Sequence, residues 1–394
     1  MSSRPASCLA KPKGNLMENT RIVRVERATL VGTRPREAGN NARLNIHGID
    51  VTVPLARLTT NDGATGFGFS QASPEDAQAI LGAAVSDLLS AKAGTTDAAR
   101  AFDFPLWDLL GQLTGKPIYE LASPANAQFT EPLRVPCYDT SLYMNDLGIE
   151  TDEAGAALIA EHAREGYELN HRAFKIKVGR GARHMPLEAG TRRDIAVIKA
   201  VRAAVGPEAT ILIDANNGYN FNIARRVLAE TADCNVFWLE EAFHEDPELY
   251  ETLHTWMEAE GLSVLIADGE GWAAEALMDW ARAGFVDVVQ YDIFSHGFST
   301  WLDTGAQLDK WGVRSAPHHY GRHLGNYVSG HLAAAVEGFS FVEWDETTTP
   351  GIDALAYRVE DGQVVLPDAP GFGLALEDAV FRAAVKNGGF ELCL

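Results

Sequence analysis

The chain is poor in cysteine, in positive charge and in long apolar runs. It has four cysteines in 394 residues, Cys8, Cys137, Cys234 and Cys393, scattered with no CxxC pair. That spacing argues against a disulfide framework or a cysteine zinc site and fits free thiols in a reducing cytoplasm. Only 33 lysines and arginines stand against 54 acids, a net charge of −21. Non-specific nucleic-acid binding and docking on an anionic membrane are therefore disfavoured, although a cleft holding a metal and local lysines still suits a small anionic substrate. No apolar stretch reaches the ~18–20 residues that span a bilayer. Residues 1–17 lack the apolar core of a signal peptide; residues 1–20 are expected to form a disordered extension, with Met17 an alternative start. No GxGxxG stands at a strand-to-helix junction, which argues against dinucleotide binding. No HxH pair occurs among the candidate ligands, which argues against an ordinary metal-dependent hydrolase.

What is present is ordinary for a folded protein, 46% apolar and 22% charged residues, in a chain long enough for one large domain and a smaller one. Residues 21–132 read as an α+β capping domain. Strand patterns occupy 22–25, 28–31 and 51–58, the turn Asn61-Asp62-Gly63 follows, and helices are expected over about 74–91 and 96–114. The polar stretch from Gly32 to Gly48 carries Arg34, Arg36, Asn40, Asn41, Arg43 and His47, and reads either as a solvated loop or as a lid over a polar ligand. From 133 to 358 apolar strands alternate with amphipathic helices. Strands are expected at 135–143, 172–178, 210–216, 236–241, 263–268, 286–291, 313–317 and 339–344, with helices such as 192–205, 223–232, 247–260, 273–283 and 300–311 between them. Eight strands with helical crossovers predict an α/β fold with a closed (β/α)8 barrel of the TIM type, a doubly wound open sheet being the alternative. The tail, 359–394, returns to a hairpin at Glu360-Asp361-Gly362 and is expected to complete the capping domain.

The run Ala173-Phe174-Lys175-Ile176-Lys177-Val178 places two lysines at alternate positions of a strand, so both ammonium groups share one face. Burying them is costly unless the site uses them, and each is expected to depress the other's pKa toward the range of a working base. Polar residues recur at the ends of the following strands: Asp214 and Asn216, Glu240, Glu270, Asp292, His318 and Glu343. From Asp214 onward they come about one strand-helix unit apart, and carboxyl ends of barrel strands converge on one mouth. Asp214, Glu240 and Glu270 form an all-oxygen set that would repel itself without a cation, and it suits Mg²⁺. Strand alternation favours Glu240 over Glu241, which is expected to face the helix layer or to support the ligands from behind. Asp268 shares the parity of Glu270 and is a candidate lysine contact unless Gly269 resets the direction. His318, one strand after Asp292, reads as an oriented His-Asp dyad.

In order along the chain, KxK, IDAN, WLEE, ADGE, VVQxD, APH and VEW resemble the enolase superfamily, and more closely the mandelate racemase subgroup of acid-sugar dehydratases and racemases. The segment FDFPLWDLLG with Gly115-Lys116-Pro117 is similar to the helix that leads into such barrels. The resemblance implies one Mg²⁺ per subunit on Asp214, Glu240 and Glu270, with Lys177 as the base on one face of the substrate. Lys175 would lower the pKa of Lys177 and contact the substrate carboxylate. His318 with Asp292 would be the acid or base on the opposite face, and Glu343 would donate a hydrogen bond to the intermediate. It also implies a homo-oligomer. Two departures from the subgroup concern the substrate rather than the metal: Ala242-Phe243-His244 follows the paired acids, where proline is usual, and Ser295-His296-Gly297-Phe298 replaces a Gly-Gly. Asn216, Tyr320, Arg180 and His47 are the candidate substrate contacts, with Arg183 a further specificity candidate. The expected activity is removal of the proton alpha to a carboxylate, with loss of water from an acid sugar to give a 2-keto-3-deoxy acid. The alternative is racemisation or epimerisation of a 2-hydroxy acid by Lys177 and His318 across one carbon.

Overall fold

The computed structural model describes residues 19–271 and 273–394, so the expected extension lies outside the described residues except for its last two, as does Met17. One long strand, Ile22–Ala38, stands where the sequence suggested two short ones. It pairs antiparallel with Gly48–Thr60, which pairs with Thr65–Phe69. Ala28, Leu30, Gly32 and Arg34 face inward while Thr29, Val31, Thr33 and Pro35 face outward, so alternation runs straight into the stretch expected to be a loop. Polarity misled there because Arg34 is an inward residue with a partner, Asp345, at 3.0 Å. Only residues 39–47 form the connecting loop.

The expected helix over 74–91 breaks into Pro74–Ile80 and Val85–Leu88 around Gly82, whose φ of +84° ends a helical run. The next divides into a 3₁₀ turn, Asp97–Phe102, and the helix Asp103–Thr114. The final strand, Phe390–Cys393, returns to pair with Ile22–Ala38. The earlier part of the tail does something else: the hairpin Arg358–Glu360 and Gln363–Val365 adds antiparallel to Arg134–Leu142 rather than to the N-terminal sheet.

The rest is a parallel sheet with helices. Arg134–Leu142, Ala173–Lys177, Thr210–Asp214, Val236–Glu240, Leu265–Asp268, Val288–Val289 and Arg314–Ser315 each run parallel to the next. Val342–Trp344 pairs parallel with Arg134–Leu142, and Phe339, just before it, bridges parallel to Ser315. The two faces of the strands bury different sets. Tyr138, Leu212, Trp238, Ala267, Val288 and Ala316 pack on one another, whereas Phe174, Ile176, Ile211 and Ile213 join the larger core that contains the helices. Three of the helices between the strands start on side-chain caps: Thr151 before Asp152–Glu168, Asn220 before Phe221–Glu230, and Asp246 with Pro247 behind it before Pro247–Ala259.

Candidate active site

Strand register brings the first site residues together. Lys177 pairs with Asp214, and Asp214 with Glu240, so three functional side chains stand side by side at the carboxyl ends of adjacent strands. Both lysines are buried on one face, as alternation requires. The Lys175 ammonium lies 2.8 Å from Glu240, 3.3 Å from Glu343 and 3.8 Å from Asp214. Lys177 donates to Asp214 and lies 5.3 Å from the centre of the Tyr143 ring.

Glu270 closes the group, beyond the strand Leu265–Asp268 and after Gly269, whose φ of +116° redirects the chain. Asp214, Glu240 and Glu270 are buried and offer carboxylate oxygens within 4.8 Å of one another. One oxygen of Glu240 accepts from Trp238 Nε1 at 3.1 Å and Gln290 Nε2 at 2.9 Å. Glu270 Oε1 accepts from Asn216 at 3.2 Å and Arg43 at 3.3 Å. Its Oε2 is buried without a hydrogen bond, although His318 Nε2 stands 3.3 Å away. Burial, with Asp214 and Glu270 nearby, pushes Glu240 up to about 8 against the pull of Lys175. A buried all-oxygen set with an unfilled carboxylate oxygen is what a hard divalent cation fits, and Mg²⁺ takes such ligands while leaving positions for water and substrate.

Of the two placements expected for Glu241, the structure takes the one that supports the ligands from behind. Glu241 lies past the strand end with φ +42°, and this left-handed residue swings its carboxylate back into the cluster. It accepts from Asn216 at 3.0 Å, Asn217 at 3.2 Å and Arg43 at 2.9 Å. Alternation applies only within a strand, so parity carries no information one residue beyond it.

The lysine chemistry differs from the expectation as well. Burial lowers the Lys177 pKa and Lys175 lowers it further, but Asp214 with Glu270 and Glu240 more than offsets both, and the net shift is upward. Lys175 is raised well above the ordinary lysine range because Glu240, Glu343 and Asp214 outweigh its burial. Glu343, cast by the resemblance as a donor to the intermediate, accepts hydrogen bonds in this arrangement. Despite its burial, Lys175 and His318 hold it well below the ordinary carboxylate range. It accepts from the Thr140 hydroxyl at 2.7 Å and from the N–H groups of His319 and Tyr320 at 2.7 and 3.0 Å.

His318 Nδ1 lies 3.2 Å from Asp292, forming the expected pair. Burial opposes protonation, but Glu270, Glu343 and Asp292 raise His318 to about 9. The other Asp292 oxygen accepts from the N–H groups of Phe294 and Ser295, the Ser295 hydroxyl and Arg322 Nη1, the last at 2.7 Å. Among the described residues Asp268 pairs with no lysine; it accepts from the Tyr250 hydroxyl.

The substrate-contact candidates divide. Asn216 is in the cluster, with its Oδ1 buried and without a hydrogen-bond partner. His47 and Tyr320 stand together against Tyr143, with ring centres 4.9 and 4.8 Å from it. Arg180 is misplaced by the sequence reading: it is fully buried between Asp146 at 2.6 Å and Asp194 at 2.7 Å, and neither acid belongs to the cluster. Arg183 donates to the backbone carbonyl of Arg43. Arg43, Arg322, Tyr143 and Thr140 were missed, and Arg43 was visible only as one base in a polar run. A cavity of about 380 Å³ lies behind Tyr320, lined by Arg34, Arg36, Ser141 and His162, and reaches neither Lys177 nor His318.

Comparison with known proteins agrees with this geometry. Residues 158–380 match the family model described as enolase C-terminal domain-like. A mutant galacturonate dehydratase from Geobacillus sp., solved in complex with Mg, is 45% identical, superposes with a TM-score of 0.94 and covers 96% of this chain and 99% of its own. Galacturonate dehydratase from Geobacillus sp. complexed with D-galacturonate and 5-keto-4-deoxy-D-galacturonate is 46% identical, with a TM-score of 0.91, covering 95% of this chain and 99% of its own. The D-galactarolactone cycloisomerase of Agrobacterium fabrum is 28% identical over 299 residues, 71% of either chain. With its barrel-type acids in register and a family model matched over more than half its length, the chain belongs to the enolase superfamily, in the mandelate racemase subgroup.

Proposed function

We propose that this protein is a Mg²⁺-dependent hydro-lyase that removes the proton alpha to the carboxylate of an acid sugar and expels the neighbouring hydroxyl, giving a 2-keto-3-deoxy acid. The observation that carries the reading is the placement of Lys177 and His318 around one buried acid cluster: Lys177 donates to Asp214, and His318 stands 3.3 Å from Glu270. The solved relatives add the substrate class. D-galacturonate losing water to 5-keto-4-deoxy-D-galacturonate is the same elimination counted from the other end of the sugar, and a hexuronate is the substrate we infer for this chain.

Asp214, Glu240 and Glu270 would hold the cation. Bound Mg²⁺ supplies electrophilic stabilisation of the charge that develops on the substrate carboxylate. Lys177 is the base: with the Asp214 charge that now keeps it an ammonium engaged elsewhere, it gives its proton to solvent, and the neutral amine then takes the alpha proton. Asp292 orients the His318 imidazole, which Glu270 and Asp292 keep protonated, and the imidazolium gives its proton to the departing hydroxyl. Lys175 neutralises Glu240 and Glu343 from below, and the aromatic wall of His47, Tyr143 and Tyr320 faces the sugar. Racemisation uses the same two groups without a leaving group; the dehydratases among the relatives favour the elimination.

The architecture we infer is a closed eight-stranded barrel over 133–358, supported by the partners of 339–344 on both of its sides, with 21–132 and the end of the tail, Asp378–Lys386 and Phe390–Cys393, as the cap and the hairpin before them added to the barrel strand Arg134–Leu142. A homo-oligomer and a cytoplasmic setting belong to the same proposal; the unpaired Cys137, Cys234 and Cys393 support the latter. No described helix is long and apolar enough to cross a membrane.

The test is a panel of hexuronates and aldonates incubated with Mg²⁺ in D₂O and assayed for keto acid with semicarbazide. Keto acid is expected from a hexuronate. Inversion or deuterium incorporation at the alpha carbon without keto acid across the panel would instead establish the racemase.

A further inference from the structure

The loop 39–47 connects two strands of the N-terminal sheet, yet it is docked on the acid cluster in two places. Ala42, 4% exposed, fits a notch formed by two glycines: a Cβ on Gly179 or Gly218 would lie 2.9 or 2.6 Å from the Ala42 Cβ. One residue on, Arg43 Nη2 spans Glu241 at 2.9 Å and Glu270 at 3.3 Å. The loop is preorganised for this reach. Asn41 Oδ1 accepts from the N–H groups of Arg43 and Leu44 at 2.9 and 2.7 Å, and His184 Nε2 lies 2.8 Å from the Asn41 carbonyl.

Resting on the reading of Asp214, Glu240 and Glu270 as the Mg²⁺ site, we propose that Arg43 is a positioning residue that couples closure of the 39–47 loop to metal binding. Arg43 and Asn216 hold Glu270 Oε1, so Oε2, which makes no hydrogen bond and has His318 Nε2 3.3 Å away, is the oxygen turned to the cation. Two effects oppose each other, since a guanidinium also repels a cation. The Arg43 side chain is 43% exposed and its repulsion is screened, whereas the orientation it imposes on Glu270, 8% exposed, is not. Orientation prevails, so loop closure tightens metal binding. By linkage, metal binding must then tighten the loop by the same factor.

The experiment measures the Mg²⁺ dissociation constant by calorimetry, and hydrogen exchange of residues 39–47 with and without Mg²⁺, in wild type, Arg43→Met, Arg43→Lys and Ala42→Val. Ala42→Val leaves every charged group in place but overfills the glycine notch. In wild type, Mg²⁺ slows loop exchange. Arg43→Met weakens Mg²⁺ binding roughly 10-fold, as loss of a group that orients a ligand does, and its loop exchange becomes independent of Mg²⁺. Arg43→Lys falls between, and Ala42→Val moves both readouts in the direction of Arg43→Met. Unchanged or tighter Mg²⁺ binding in Arg43→Met would overturn the coupling, as would a loosened loop with unchanged affinity in Ala42→Val. A wild type that binds no Mg²⁺ would remove the metal reading and the coupling together.

Discussion

A lysine that takes a proton from carbon must be neutral when the substrate arrives, and Lys177 sits where that condition is controlled by its neighbours. Asp214, Glu270 and Glu240 hold its proton on, against burial and Lys175. Its basicity is therefore a property of the acid cluster. Replacing Lys177 with Met removes the proposed base and one charge opposing the acids. We expect turnover to fall by at least ~10³-fold, within the range for a positioned general base, and exchange of the alpha proton with D₂O to disappear while the far-ultraviolet circular dichroism is unchanged. His318→Asn is expected to spare exchange but to lose keto-acid formation, because only the leaving-group proton is missing. Loss of exchange in His318→Asn would reverse the two roles. At this scale much was legible. KxK, the three acids and the His-Asp pair follow from the period of a strand and the spacing of strand-helix units. Which of its two placements Glu241 takes was not legible, because a left-handed residue beyond the strand obeys no alternation.

At the scale of elements, side-chain ties across neighbouring strands hold the register on which the site depends. His171 lies just before Ala173–Lys177 and Glu346 just after Val342–Trp344, and both strands flank Arg134–Leu142. The two side chains meet at 2.8 Å. Burial pulls His171 down, but the Cys137 thiol and the Glu346 carboxylate more than compensate and lift it to about 10. The sign follows: a histidine raised on folding contributes stability in full below its unfolded value of about 6.5, and that contribution fades as pH climbs through about 10. His171→Gln should therefore lower the urea midpoint most at pH 6, by the equivalent of about 1–2 kcal/mol, with the gap to wild type closing as pH approaches 10. A gap constant in pH would mean that His171 acts only through packing. Element existence was largely legible from apolar periodicity. Element ends were not, and the helix expected over 74–91 failed because one glycine in a left-handed conformation outweighed the surrounding propensity.

For the molecule as a whole, the decisive contacts join residues far apart in sequence. The inward Arg34 of the N-terminal sheet meets Asp345 at 3.0 Å, with the two side chains 6% and 3% exposed. Arg34→Met leaves that acid buried and alone, which costs about 3 kcal/mol. The loss should show as a lower unfolding midpoint at pH 7 and shrink at pH 5, where the stranded Asp345 takes up a proton more readily; an equal loss at both values would argue against the ion pair. Arg180 carries the same lesson in reverse, a base that looked like a substrate contact and is a buried strut between Asp146 and Asp194. The sequence alone determined the family and the acid set with its hard-cation chemistry, and it marked Lys177 and His318 as the acid-base candidates, because each rests on short-range periodicity or on a motif in register. Only the tertiary structure decided that the acids hold a proton on Lys177 in this arrangement, that Glu343 accepts from Thr140 and two backbone N–H groups, that Glu241 joins the acids, and that Arg43 reaches them from another sheet. Those properties are set by charges and loops brought together across 23 to 227 residues of chain, separations at which burial and Coulomb interaction decide and local spacing is silent.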